Sequence, residues 1–393
     1  MNHPPYTSDD FGRSPLMFYY EVTRACDLVC KHCRASAQEQ PDRDELDTRS
    51  ARALIDQVAS FPRPPMLVLT GGDPLKRADL LELVGHAAAA GLHVALTPSA
   101  TPLATFEAFQ QAKQAGVRAL GISLDGSDAA THDAFRGWQG SFERTGRMMA
   151  DARSLDLPVQ VNTSLTRRNF HQIESLAELL GDQGIAMWSV FFLVPVGRGV
   201  EEQRISPEEY EVAFERLWRE SRRRPYSIKT TEAPHYRRWV LEHGGDPLAA
   251  PGVTAGANRR EEAAVSPGGH AGDRPREAGG SGRLHRAPLG VGDGKGVMFV
   301  GHTGEIFPAG FLPLPCGRFP QDSVVDAYQH HPTFLALRDP DRFQGNCGIC
   351  EYRRTCGGSR ARAYAVTGDP LASEPDCVYV PLSLRESAAE GYL

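Results

Sequence analysis

Three features of the 393-residue chain predict an α/β fold, with a parallel sheet and helices packed outside it. Short β-branched and apolar runs alternate six times with stretches whose apolar residues recur at helical spacing. Gly, Pro, Asn or Asp mark nearly every joint between them. The residues able to do chemistry fall directly after the strands, where parallel α/β sheets carry their sites.

Residues 16–23, aromatic and β-branched, form the first strand, and 47–59 a helix opened by the Asp47-Thr48 cap. Strand two, 66–70, runs into Gly71-Gly72, and a helix over 78–90 stops at Gly91. Strand three is 92–97, and the helix over 103–115 stops at Gly116. Strand four is 117–124, followed by a helix at 142–155 and strand five at 159–165. A helix at 170–180, strand six at 187–194 and a helix at 207–224 complete the alternation. Such an order implies repeated βαβ units in an open sheet or a barrel. Cys26 follows strand one, Gly71 strand two, Pro98-Ser99 strand three and Asp125 strand four.

The composition changes beyond residue 243. Residues 244–296 hold 14 glycines and five prolines with no sustained apolar period, the signature of a flexible connecting segment. Order resumes with a hairpin at 297–300 and 306–307, which leads into a second cysteine group. The expected organisation is an extension at 1–15, a core at 16–224, a connection at 225–296 and a small cysteine-rich domain at 297–393. With 43 Lys+Arg against 49 Asp+Glu, a net charge of −6 argues against binding nucleic acid through phosphate neutralisation. The polar N-terminus carries no secretory signal, and the longest apolar run, near 186–196, is shorter than the ~20 residues of a membrane span. A cytoplasmic protein is expected.

The eight cysteines fall at 26, 30, 33, 316, 347, 350, 356 and 377. In a reducing compartment such clusters hold metal more often than they form disulfides. Cys26-x3-Cys30-x2-Cys33 places three soft ligands on the loop after strand one. A four-iron cluster normally takes four cysteines, so a trio leaves one iron able to bind a small chelating molecule. A zinc site completed by His32, or three unliganded thiols, are the alternatives.

This loop resembles that of the radical SAM enzymes, whose signature is Cys-x3-Cys-x2-Cys after the first strand of a partial (β/α)6 barrel. The resemblance implies that the open iron chelates the amino and carboxylate groups of S-adenosylmethionine, whose reductive cleavage yields a 5′-deoxyadenosyl radical. It also implies that the ring of His32 lies against the adenine. The family's Gly-Gly-Glu-Pro turn is matched by Gly71-Gly72-Asp73-Pro74; the shorter Asp73 keeps the backbone role and weakens the case for a side-chain contact. Ser123 and Asp125 at the end of strand four, and Asn162 on strand five, are further candidates for the ribose or the methionine group.

Cys347-x2-Cys350-x5-Cys356-x20-Cys377 is a complete set of four, suited by spacing to zinc or to a four-iron cluster. The region resembles the SPASM and twitch auxiliary-cluster domains. Ala309 and Ser359 stand where the two-cluster pattern carries cysteines, so one auxiliary cluster is expected, giving two [4Fe–4S] clusters in all. Cys316 is left over.

The segments 21–26, 230–238 and 356–364 resemble the subgroup of alternative haem synthase and haem d1 biosynthesis, which acts on propionates of iron porphyrins. That resemblance implies oxidative decarboxylation of an iron porphyrin, with His235 and Tyr236 as candidate neighbours of the macrocycle or its carboxylates, and a reducing donor such as flavodoxin or ferredoxin as partner. Arg360 and Arg362, cationic beside the second cysteine group, are candidates for substrate carboxylates. A maturase of a ribosomal peptide is the rival enzyme. A zinc-binding interaction protein is the rival outside enzymes.

Overall fold

The computed structural model describes residues 7–247 and 290–385; residues 248–289, most of the stretch read as flexible, lie outside the described residues. The first part comprises β1 (Met17–Thr23), α1 (Thr48–Ala59), β2 (Met66–Gly71), α2 (Leu80–Ala89), β3 (His93–Leu96), α3 (Phe106–Ala115) and β4 (Val117–Ser123). There follow α4 (Ala129–Arg136), α5 (Ser141–Ser154), β5 (Val159–Leu165), α6 (Ile173–Gly181), β6 (Met187–Phe192), α7 (Pro207–Ser221), β7 (Ser227–Thr231) and α8 (His235–Glu242). After residue 290 come β8 (Val297–Val300), β9 (Ile306–Phe307), α9 (Val324–His330), α10 (Pro332–Arg338), α11 (Gly345–Ile349) and α12 (Arg360–Thr367).

Local chemistry sets the joints. Asp47 accepts the Ser50 N–H at 2.8 Å to open α1, and Ser206 with Glu209 forms a capping box at the start of α7. Gly116 ends α3 at φ 129°, a conformation that a side chain disfavours.

The strands form one sheet in the order β7-β6-β5-β4-β3-β2-β1-β8-β9, parallel throughout except between β8 and β9. The outward residues of β1, Phe18, Tyr20 and Val22, are buried with Leu54, Ile55 and Val58 of α1. Each such side chain contributes roughly 1.5–3 kcal/mol on burial, so the outer face carries most of the packing. The inner face is built from smaller or polar residues. Val68, Ala95 and Ala119 lie there beside Tyr19, and a Cβ on Gly121 would come 2.8 Å from Thr97. Phe191 of β6 reaches Phe311, beyond β9, at 6.0 Å between ring centres, so the two ends of the sheet curl toward each other around an interior.

Two strands differ from the sequence expectation. β7 is a seventh parallel strand in the segment read as a connection, and its sequence Ser-Ile-Lys-Thr-Thr offers one apolar residue to mark it. The hairpin strand β8 joins the main sheet, pairing parallel with β1 from Met17↔Val297 to Tyr20↔Val300. Its apolar side chains and free backbone groups are satisfied there, where β1 would otherwise be an open edge. Among the described residues no helix is long and apolar enough to cross a membrane.

Candidate active site and cysteine centres

The loop after β1 gathers Cys26, Cys30 and Cys33, all free thiols, with Cys26 and Cys30 buried beside Leu28 and Ala37. Backbone pairing pins the loop: Cys26 N–H donates to Gln38 at 2.7 Å, and Gln38 N–H to Arg24 at 3.0 Å. Arg198 fastens it from outside, donating to the carbonyls of Cys30 (2.9 Å) and Ala37 (3.0 Å). The amides of Leu28 and Ala37 point at the sulfurs of Cys26 and Cys33, each at 3.4 Å. Burial pushes the Cys26 thiol up to about 11 and raises Cys30 as well. Thiolates in this setting need a positive partner, and backbone amides aimed at sulfur suit an iron–sulfur cluster.

The turn after β2 is pressed against this loop. A Cβ on Gly71 would lie 2.3 Å from the Thr23 carbonyl oxygen, and one on Gly72 2.4 Å from that of Ala25, so only glycine allows the approach. Gly72 N–H donates to Thr23 (2.8 Å) and Asp73 N–H to Ala25 (2.7 Å). The Asp73 carboxylate is buried and accepts from Thr101 Oγ1 (2.6 Å), Leu75 N–H (3.2 Å) and Ser99 N–H (3.3 Å). Its side chain therefore ties the turn after β2 to the loop after β3, while the Gly71-Gly72 backbone borders the cysteines.

Asp125, beyond β4, is fully enclosed. One carboxylate oxygen accepts from Ser164 N–H at 2.7 Å and the other lies 2.5 Å from Arg136 Nη2. Burial alone would raise Asp125, but the Arg136 guanidinium holds it below the ordinary carboxylate range. Arg136 in turn donates from Nη1 to the Cys30 sulfur at 3.7 Å. The His32 ring stacks on Phe135 at 4.3 Å, with Nε2 3.9 Å from Asp125, and burial lowers it to about 4, so the ring is neutral. His32 and Asp125 thus meet each other and Arg136. Arg136, at the end of the unanticipated helix α4, is one residue that sequence reasoning missed. Ser123 and Asn162 are register partners on β4 and β5; Asn162 Oδ1 accepts from Gln160 Nε2 at 2.7 Å on the inner face.

Cys347, Cys350, Cys356 and Cys377 line a single pocket, open to solvent, with His235, Arg238 and Glu374 in its wall. Glu374 N–H points to the Cys347 sulfur at 3.3 Å, Gly358 N–H to that of Cys356 at 3.4 Å, and Arg360 Nη2 to that of Cys347 at 3.7 Å. Gly357 and Gly358, at φ 72° and 68°, make the tight turn that aims the second of these amides. Four sulfurs around one cavity with cationic and N–H donors fit an iron–sulfur cluster with every position ligated by protein. Cys316 belongs to neither group; it is buried in the apolar core and its thiol donates to the Leu314 carbonyl at 3.4 Å.

Three of the four residues expected from sequence beside a substrate, His235, Arg360 and Arg362, gather around this second centre, while Tyr236 lies in the main core. Arg362 is wholly enclosed and paired with Glu374 (2.8 Å) and Asp376 (3.1 Å), which occupies the charge a substrate carboxylate would need. Arg360 lies 4.6 Å from the Phe343 ring centre and donates to the Ala372 carbonyl at 2.7 Å. Tyr236 packs on Phe214 at 5.5 Å. His235 stacks on Tyr210 at 5.2 Å, neither ring nitrogen has a hydrogen-bond partner among the described residues, and burial lowers it to about 3.

Comparison with known proteins is consistent with this geometry. Residues 20–180 match the Radical SAM superfamily model. An AdoMet-dependent heme synthase of Methanosarcina barkeri is 37% identical over 368 residues, covering 94% of this chain and 97% of the relative. A pre-heme d1 synthase of Dinoroseobacter shibae is 27% identical, covering 95% and 89%. Streptococcus suis SuiB bound to S-adenosylmethionine shares the fold, with a TM-score of 0.66 at 14% identity over 93% of this chain and 78% of that one.

Proposed function

The chain belongs to the radical SAM superfamily, in the subgroup that includes AdoMet-dependent heme synthases, and we propose that it oxidatively decarboxylates propionate side chains of an iron porphyrin. It is an oxidoreductase that uses S-adenosylmethionine and a [4Fe–4S] cluster. The observation carrying the substrate reading is the 37% identity to a heme synthase, sustained over nearly all of both chains.

Cys26, Cys30 and Cys33 would hold the first cluster, leaving one iron for S-adenosylmethionine. When bound, these groups supply a radical able to take a hydrogen atom from carbon. The chain's own part is to hold and shield them. Leu28 and Ala37 enclose the sulfurs, their amides and Arg136 offset sulfur charge, and the Gly71-Gly72 backbone packs against the cysteine loop, where it would border the cluster. Ser123 and Asn162 supply polar groups on the inner face. Cys347, Cys350, Cys356 and Cys377 would hold a second, fully ligated cluster suited to electron transfer or structure. On the substrate, one hydrogen atom leaves the propionate chain, the bond to the carboxylate breaks to release carbon dioxide, and one electron passes to an acceptor, leaving a vinyl group. A flavodoxin- or ferredoxin-type donor would supply the reducing electron.

The test is to mix reconstituted enzyme with Fe-coproporphyrin, S-adenosylmethionine and dithionite. Deoxyadenosine formed in step with carbon dioxide and a vinyl-bearing porphyrin supports decarboxylation. Porphyrin binding with no turnover contradicts it and points to a peptide substrate instead.

A further inference from the structure

Lys229, on the inner face of the sheet, is a cation that the reading above does not use. Lys229 on β7 pairs in register with Ser189 on β6, Ser189 with Asn162 on β5, and Asn162 with Ser123 on β4. These four residues form a single row on the inner face. The alternation of β7 confirms the direction: Ile228 is buried in the helix-covered core, whereas Thr231, two residues beyond Lys229, bonds Ser189 at 3.0 Å. Gln160, Asn162 and Ser164 are all half-buried on this face, so the interior retains open space beside the row.

Several enclosed cations elsewhere pair with carboxylates, while Arg237 and Arg360 are held by backbone carbonyls. Arg136 pairs with Asp125, Arg362 with Glu374, and Arg238 with Glu211 and Glu242. Lys229 is half-buried and has neither a carboxylate nor a carbonyl partner among the described residues; desolvation lowers it to about 8, so it is still mainly charged at neutral pH. The acidic residue nearest in sequence, Glu232, accepts from Ser359 at 2.5 Å and is pushed toward its neutral form by burial and by Asp293. A desolvated ammonium without a counter-ion is unfavourable in the empty site and becomes favourable once an anion enters. Apolar rings stand at the closing edges of the sheet: Phe191 meets Phe311 at 6.0 Å, and Phe299 meets Phe307 at 6.2 Å. They suit a large flat apolar body whose rim carries negative charge.

We propose that Lys229 seats a carboxylate of the substrate inside the barrel, with the Ser189–Thr231 hydroxyl pair beside it and the phenylalanine rings against the substrate's apolar body. This rests on the reading of an anionic porphyrin substrate and adds the residue that anchors it.

The test compares holoenzyme with Lys229→Met and Lys229→Arg by absorbance titration with Fe-coproporphyrin and with its methyl ester, which carries no carboxylates. Lys229→Met should weaken binding of the acid by about tenfold or more, Lys229→Arg by much less, and the ester should bind all three proteins alike. Because Lys229→Met removes an unpaired, half-buried charge from the inner face, its thermal midpoint should be no lower than wild type, which separates lost binding from lost folding. A second measurement is independent of the porphyrin: amine labelling of Lys229, read by peptide mass spectrometry, should be slowed by propionate and not by propionamide. If wild type binds no porphyrin yet propionate protects Lys229, the anchor stands and the porphyrin reading falls. If porphyrin binds equally to wild type and Lys229→Met, and propionate gives no protection, the anchor is wrong and the porphyrin reading is untouched.

Discussion

Arg136 places its guanidinium 3.7 Å from the Cys30 sulfur while bound to the enclosed carboxylate of Asp125 at 2.5 Å. Removing one member of such a pair strands a buried charge, which costs about 3–5 kcal/mol, whereas removing both costs far less. Arg136→Met should therefore lower the thermal midpoint sharply, and Asp125→Asn in the same chain should restore most of it. Equal midpoints for the single and double variants would show that the pair is not coupled.

Gly72 and Gly85 make a paired prediction. A Cβ at 72 would strike the backbone oxygens of Ala25 (2.4 Å) and Arg24 (2.6 Å), so Gly72→Ala must push the cysteine loop out of place. Iron bound by the first centre should fall, together with binding of S-adenosylmethionine. At Gly85, inside α2, nothing lies within 4 Å, so Gly85→Ala should leave both unchanged and stabilise the protein by about 1 kcal/mol. Iron analysis and urea unfolding read the two outcomes.

Much of this was legible beforehand, and the omissions have physical causes. The cysteine loop, the Gly71-Gly72 turn and six of the strands announce themselves by spacing and by apolar runs. β5 falls on 159–165 as expected. β7 was hidden because its inner face is polar, with Lys229 and Thr231 turned toward the interior. The short helix α4 was hidden because its buried residues include His132, which apolar periodicity does not count. The contact of Arg136 with Cys30 spans 106 positions and depends on how α4 docks, which no local pattern records. Arg360 and Arg362 stood out as candidate substrate ligands by their charge, but their internal partners were invisible in sequence.

Lys229 also has a pH signature. Its folded value of about 8 lies below the ordinary 10.5, so between these values the unfolded chain holds the proton more tightly. Folding stability of wild type relative to Lys229→Met should then rise as pH increases from about 8 to 10.5, and should be lowest and flat below 8. Urea unfolding at several pH values checks this; a stability difference that does not change over that window contradicts a desolvated Lys229.

The two cysteine centres should separate. Cys347→Ala should remove about half the bound iron and leave deoxyadenosine formation detectable, because the first trio is untouched. Loss of all iron would mean that the centres assemble as one unit.

The most direct measurement is the EPR spectrum of the dithionite-reduced Cys347→Ala enzyme before and after S-adenosylmethionine is added. If Cys26, Cys30 and Cys33 leave one iron open, the spectrum changes on addition, because the nucleotide becomes a ligand. A reduced-cluster spectrum that stays the same at saturating S-adenosylmethionine contradicts an open iron at the first centre.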